Sequence, residues 1–491
     1  MEPDTIFWSL YAFYLFSSAW DVYLSVRQYA LYRRTTARPA SVEAIISESD
    51  FDKARAYQLD KMQFAFITDA FNFVLYSIVF LCTLYPSIWT LCSGIALWVW
   101  PGSGEIWHSV VYYSTFYIEQ RYGFNKETIP FFFKDRALKL GVSLALSTPV
   151  VALLIWIIRH GGENFHIYAW AALSVIIFVM MFVYPEFIAP LFDKYTPLPD
   201  SELKRKIETL ASQVGFPLAK LYVVENSKRS THSNAYMYGF WKNKRIVLFD
   251  TLLSKEMNEL MKQLGEESKS EHKKAEDETD NEAEPNKTTE LEDAEQEKLE
   301  EAVRRFHGDD ETAEEETGNE DEGKNGTAAE KEHRIGMDDD EVVAVLGHEL
   351  GHWKLCHSAA LLAITEFNLL FTLFIFSVFY QQESLFTAFG FPPPEQQQQQ
   401  PILIGLLLIG QFVMAPYTEF LSLAINVFTR KFEFAADRFS ATLGHAPKLC
   451  SGLIKLGKDN LSLPIDDWLY SWCNHSHPPT PERMEALKKF A

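Results

Sequence analysis

Cysteine is scarce in this chain of 491 residues: there are five, Cys82, Cys92, Cys356, Cys450 and Cys473. They are odd in number, widely spaced and form no CxxC pair. That excludes a disulfide-stapled secreted fold and a cysteine zinc site. A basic excess is also missing. The net charge is −21, and residues 266–341 account for all of it, with 31 Asp and Glu against 10 Lys and Arg. The rest of the chain is electrically neutral and very apolar, so a nucleic-acid partner is not expected. Residues 266–337 also have almost no large apolar side chains. They are expected to be a disordered acidic loop, acting as a solvated spacer.

Long apolar runs are abundant. Seven segments suit a bilayer crossing: Thr5–Val26, Phe64–Leu84, Ile88–Trp100 continuing into Trp107–Ile118, Leu138–Ile158, Ile167–Tyr184, Ser358–Tyr380 and Ile402–Phe428. The first has an acidic leader and no small-residue cleavage site, so it reads as an anchor, not a signal peptide. Pro101, Gly102 and Gly104 interrupt the third. Lys and Arg crowd the loops after spans one and three and are absent between six and seven. This bias places the N-terminus outside and residues 186–356 and the C-terminal tail in the cytosol. The sequons at Asn286, Asn325, Asn460 and Asn474 are then expected to stay unglycosylated. Asp21, Asp69, Asn72, Glu105, His108, Glu366, Asn368, Glu419 and Asn426 fall within spans. Singly they read as helix–helix hydrogen bonds, and together as a bundle around a polar cavity.

Residues 191–263 read as a small α+β segment. Asp200 is expected to cap a helix carrying Leu203, Ile207, Leu210 and Val214. Strands are expected at Lys220–Glu225, Asn234–Phe240 and Lys244–Asp250, with a turn at Lys242-Asn243. The domain plan is five transmembrane helices over 1–190, the α+β segment over 191–263 and the acidic insert over 264–340. A metal-site helix over 341–357, two more spans over 358–428 and a closing segment over 429–491 complete it.

The most specific signal is His348-Glu349-Leu350-Gly351-His352. On a helix both imidazoles share one face and can reach one Zn²⁺, with Glu349 beside them to accept a proton from an activated water. Asp338 to Glu341 mark the helix start. A catalytic zinc needs a third protein ligand. Glu433 is the candidate, and Asp437, one turn further on, can hydrogen-bond a ligand imidazole. His477, before paired prolines, can point into a cavity and meet an oxyanion, with Arg483 nearby.

The stretches Gln120–Lys126 (QRYGFNK), Asn226–Leu253, Val343–Lys354 (VAVLGHELGHWK), Phe432–Asp437 (FEFAAD) and His477–Arg483 (HPPTPER) strongly resemble the type I CaaX prenyl proteases. These are eukaryotic integral-membrane zinc metalloendopeptidases, and the resemblance covers almost the whole chain. The acidic insert and the Gln396–Gln400 run depart from it. The resemblance implies a seven-transmembrane helix barrel enclosing a chamber, with a small α+β zinc-metalloprotease domain. It implies one Zn²⁺ on His348, His352 and Glu433, with Glu349 as base and Asp437 as support. His477 and Arg483 would stabilise the transition state and position substrate. Asn234, Ala235 and Tyr236 would form the edge strand that pairs with the substrate. Substrates would be farnesylated or geranylgeranylated CaaX proteins losing their last three residues, with a second upstream cut in some, as in prelamin or pheromone precursors. Endoplasmic reticulum and inner nuclear membrane are the implied locations, among membrane lipid. Two other readings remain open at this point: a quality-control metalloprotease for misfolded or translocon-stuck proteins, and a non-catalytic membrane scaffold.

Overall fold

The computed structural model describes residues 1–95, 113–225, 234–240, 243–263, 336–392 and 401–490. Glu105, His108, most of the third span, residues 264–335 of the acidic insert with Asn286 and Asn325, Lys242 and the Gln run lie outside them, while Asp339 and Asp340, assigned to the insert, already belong to a helix.

The N-terminal half is built from long helices. These are α1 (Pro3–Arg34), α2 (Glu48–Leu81), α3 (Tyr85–Ile95), α4 (Ile129–His160) and α5 (Phe165–Val183). Their apolar side chains point outward: Phe16, Ile67 and Val175 are all exposed. A water-soluble helix would bury that stripe, whereas a bilayer solvates it. Four helical segments are long and apolar enough to cross a membrane: Glu48–Leu81, Ile129–His160, Gly162–Leu191 and His357–Phe379. A fifth arises if Ile402–Val413 and Ala415–Thr442, bent by 60°, count as one span. The seven expected crossings are therefore not reached among the described residues. Helix α1 has the length but carries Asp4, Asp21 and several arginines, and the third span falls mostly outside the described residues.

Some polar groups in these helices find partners across helices. Glu366, on α8 (His357–Phe379), accepts from Trp170 Nε1 and Ser174 Oγ of α5. Glu419 accepts from Ser17 of α1, at 3.0 Å. Asp21 and Asp69 stay exposed.

The soluble part has a four-stranded sheet, β1 (Tyr195–Pro197), β2 (Leu218–Val224), β3 (Ala235–Phe240) and β4 (Asn243–Phe249), in the order β1-β2-β4-β3. The central pair β2/β4 is parallel, and β1 and β3 flank it antiparallel. Central strands covered on both sides read as apolar runs, and Ile246, Val247 and Leu248 are fully buried. The three expected strands form within about two residues of their expected ends. The sheet gains β1, too short and too polar to read as a strand. Helix α6 (Glu202–Val214) buries Leu203, Ile207, Leu210 and Val214 on one face, as its spacing predicts. Its cap, however, is Ser201, whose hydroxyl accepts from the Lys204 N–H, and Asp200 pairs instead with the Lys204 ammonium. The two caps are adjacent in sequence, and only backbone geometry separates them. Gly215, at φ 76°, ends the helix in the left-handed region.

Helix α7 (Asp339–Lys354) lies in the middle of this part, with ten of its residues buried. After α8 come α9 (Glu383–Ala388), α10 (Ile402–Leu408) and α11 (Ala415–Thr442), then α12 (Ala446–Asp459), α13 (Trp468–Asn474) and α14 (Thr480–Leu487). Helix α11 runs without a break through residue 428, where the span was expected to end, and carries Glu433 and Asp437 in its last turns.

The closing segment is tied to the membrane helices. Arg27 of α1 binds Asp467 through two nitrogens, at 3.0 and 2.8 Å. Gln28, fully buried, donates to Asp466 at 2.9 Å and accepts from the Asp467 N–H at 2.7 Å. Gln28→Leu strands both partners in a buried place, so we expect a loss of about 1–3 kcal/mol in stability. Thermal unfolding in detergent checks this, and an unchanged midpoint would show that the anchor is dispensable.

Candidate active site

Helix α7 starts from a capping box. Asp338 accepts from the Glu341 N–H at 2.8 Å, and Glu341 reaches back to the Asp338 N–H at 2.9 Å. Lys455 then neutralises the buried Glu341, at 2.6 Å. The start of the helix is thus fixed, and so is the phase of every residue after it.

Two glycines on one face of α7 set its distance from α11. A β-carbon at Gly351 would stand 3.1 Å from the Ala436 Cα and 3.2 Å from its carbonyl oxygen. At Gly347 it would stand 2.8 Å from Ser440 Oγ, which donates to the Ala344 carbonyl at 2.8 Å. This close approach brings His348 and His352 to Glu433 and Asp437.

The resulting geometry is tight. His348 Nε2 and His352 Nε2 are 3.1 Å apart. Glu433 presents Oε2 at 3.5 Å from the first and Oε1 at 3.2 Å from the second. Glu433 Oε2 is buried and lacks a hydrogen bond. His348, His352 and Glu433 are the group of metal-capable side chains found among the described residues, with ligand atoms all within 4.8 Å of one another. Lone pairs converging on one point, one of them orphaned and buried, fit a cation and repel one another without one. On this chemistry the residues fit a divalent metal.

The surroundings favour the same outcome. Asp437 Oδ1 lies 2.8 Å from His348 Nδ1, leaving Nε2 for the metal side. Burial alone would make His348 harder to protonate, but the carboxylates of Asp437 and Glu433 beside it prevail and lift it to about 9. Burial pushes the Glu349 carboxyl up, against the opposing pull of His348 and His352.

His477 is brought to the site, with Nε2 at 3.4 Å from Glu433 Oε1, and its side chain stays 68% exposed. Arg483 is placed differently from the sequence reading. It is buried and grips Asp437 through Nε at 2.8 Å and Nη2 at 2.6 Å, with Nη1 3.4 Å from Glu433 Oε2. Its guanidinium is shared between two buried carboxylates. Spacing alone could not reveal which anion would capture it.

Asn234 immediately precedes β3, the outer strand beside β4, and Ala235 and Tyr236 begin it. Asn234 Oδ1 accepts from the Ala235 N–H at 2.8 Å, and the Tyr236 hydroxyl meets that of Tyr195 at 2.9 Å. Their side chains are occupied locally, so what this strand offers is its main-chain edge.

Sequence reasoning missed His357. Its Nδ1 is 3.0 Å from His352 Nδ1, and its ring stacks on Phe432 at 4.2 Å. Five residues after His352, it would leave that face of a continuous helix. A left-handed Cys356, at φ 58°, folds it back. Nothing in the residue type of Cys356 signals that break.

The family model described as Peptidase family M48 matches residues 197–491. The chain belongs to peptidase family M48. As an M48 peptidase it is an enzyme, a metallopeptidase. The model described as CAAX prenyl protease N-terminal, five membrane helices, matches residues 28–113 and 109–194 of this M48 peptidase. It is 42% identical to the CAAX prenyl protease 1 homolog of Caenorhabditis elegans, over 100% of this chain and 99% of that protein. It is 40% identical to the Homo sapiens protein of the same name, over 96% and 92%. Among solved structures it is similar to S. mikatae Ste24p, with a TM-score of 0.76, 27% identity and 99% of both chains covered.

Proposed function

We propose that this M48 peptidase is a zinc-dependent membrane endopeptidase that removes the last three residues of prenylated CaaX proteins. The observation that carries the reading is the convergence of His348, His352 and Glu433 on one point, with Glu433 Oε2 left without a hydrogen bond. Full-length similarity to proteins named CAAX prenyl protease 1 homolog supports the substrate class.

In this reading His348, His352 and Glu433 hold Zn²⁺. When bound, the ion supplies Lewis acidity at the scissile carbonyl and lowers the pKa of water. Glu349 takes the proton of the attacking water and returns it to the leaving amine as the peptide C–N bond breaks. His477, exposed beside Glu433, donates to the oxyanion. Arg483 holds Asp437, which orients His348. The extended substrate adds to the main-chain edge of β3 at Ala235 and Tyr236.

The prenyl group packs among helices of a seven-helix barrel around a chamber. Exposed carboxylates at Asp21 and Asp69, costly against lipid, support a water-lined interior. The protein would reside in endoplasmic reticulum and inner nuclear membranes, with the zinc site facing the cytosol.

The test is cleavage of one CaaX peptide in liposomes, with and without its farnesyl group. Farnesyl-dependent release of the last three residues is expected. Equal cleavage of both peptides would replace this reading with general proteolysis, and no cleavage by zinc-loaded protein would favour a scaffold.

A further inference from the structure

His352 has two ring nitrogens, and the metal reading uses only one. Nε2 faces His348 and Glu433. Nδ1 points away from them, to His357 Nδ1 at 3.0 Å. A metal-ligating imidazole works best when its remote N–H has a fixed acceptor, which sets both tautomer and ring orientation. For His348 that acceptor is Asp437. For His352 the structure offers a histidine instead of a carboxylate.

We propose that His357 is the positioning residue for the His352 ligand, its Nδ1 accepting the Nδ1–H of His352 so that Nε2 stays free for metal. This rests on the metallopeptidase reading above. Three features hold His357 in that role. It is buried. Its ring lies flat on Phe432, at 10° between planes, and Phe432 directly precedes the ligand Glu433. The chain reaches it only through Cys356, a non-glycine residue held in the left-handed region. Such a conformation is costly for a non-glycine residue and persists only where its surroundings impose it. His357 is not itself a metal ligand, since the convergent ligand atoms belong to His348, His352 and Glu433. One ring therefore buttresses two ligands, His352 by a hydrogen bond and Glu433 through its neighbour.

The experiment compares His357→Asn, His357→Gln and His357→Phe in the full-length protein. The Asn side-chain oxygen falls near the position of Nδ1 and keeps an acceptor there. The Gln amide reaches the position of Nε2 and does not. Phe keeps the stack on Phe432 and has no acceptor. Each protein is loaded with zinc, its metal-to-chain ratio is measured, and release of zinc to a chromophoric chelator is timed. Release from the Gln and Phe variants should be about 10–100-fold faster than from wild type, with Asn within a few-fold of wild type. Wild-type release from both Gln and Phe would overturn the proposal. Fast release from Asn as well would overturn it too, since lost packing would then be the cause. Should Phe fail to fold, the Asn and Gln pair decides alone. A wild-type protein that binds no zinc at all would instead bring down the metallopeptidase reading, a failure visible before any variant is compared.

Discussion

Glu349→Gln should cut peptide cleavage by about 10²–10⁴-fold, the usual contribution of a positioned general base, while leaving zinc bound. The amide has nearly the shape of the carboxylate, so α7 and its two histidines should stay where they are. What it loses is the ability to accept a proton. The carboxyl of Glu349 is well suited to that task, because burial pushes its affinity for a proton up while the neighbouring histidines restrain it. The measurement is kcat on a farnesylated peptide alongside the metal content of the same preparation. Activity within tenfold of wild type would remove Glu349 from the chemistry. Loss of the metal would make the residue structural.

Gly351→Val should be comparably damaging by a route that touches no reacting atom. Its β-carbon alone would lie 3.1 Å from Ala436 Cα, 3.2 Å from the Ala436 carbonyl oxygen and 3.2 Å from Phe439 Cβ. Two of these neighbours are backbone of α11 and cannot swing aside, so the two methyl groups of valine must push the helices apart. Overpacking of this kind costs about 1–3 kcal/mol. The larger effect is geometric, because His348 and His352 ride on one helix and Glu433 on the other. A displacement near 1 Å is enough to lose about 10² in rate. Activity and zinc affinity should fall together, and Gly351→Ala should lie between wild type and valine. A valine variant with normal rate and normal zinc content would show that the contact between α7 and α11 does not set the ligand geometry.

The parts of the site legible in the sequence were those that helical periodicity alone dictates. His348 with His352, and Glu433 with Asp437, lie one turn apart, and such spacing fixes a shared face whatever the rest of the fold does. What joins the two pairs was not legible in the same way. It depends on Gly347 and Gly351 as contact points, and a glycine in a motif does not announce which helix it will meet. Arg483 was expected beside His477, and its partner is Asp437, because long-range pairing decides among several carboxylates within reach. His357 was invisible because its position depends on the backbone of Cys356. For the membrane part, runs of apolar residues marked the long helices well. They were weakest where charge is scattered along α1.

Helix α11 belongs at once to the membrane part and to the metal site. It begins at Ala415, after a 60° bend, and continues unbroken past Glu433. From Ala415 to Glu433 is about 27 Å at the rise of an α-helix. A rod of that length converts a tilt of about two degrees at its foot into roughly 1 Å at the carboxylate. Helices adjust their tilt to the thickness of the surrounding hydrocarbon. The lipid therefore acts as a lever arm's fulcrum for this enzyme, and the choice of bilayer or detergent becomes part of the active-site geometry.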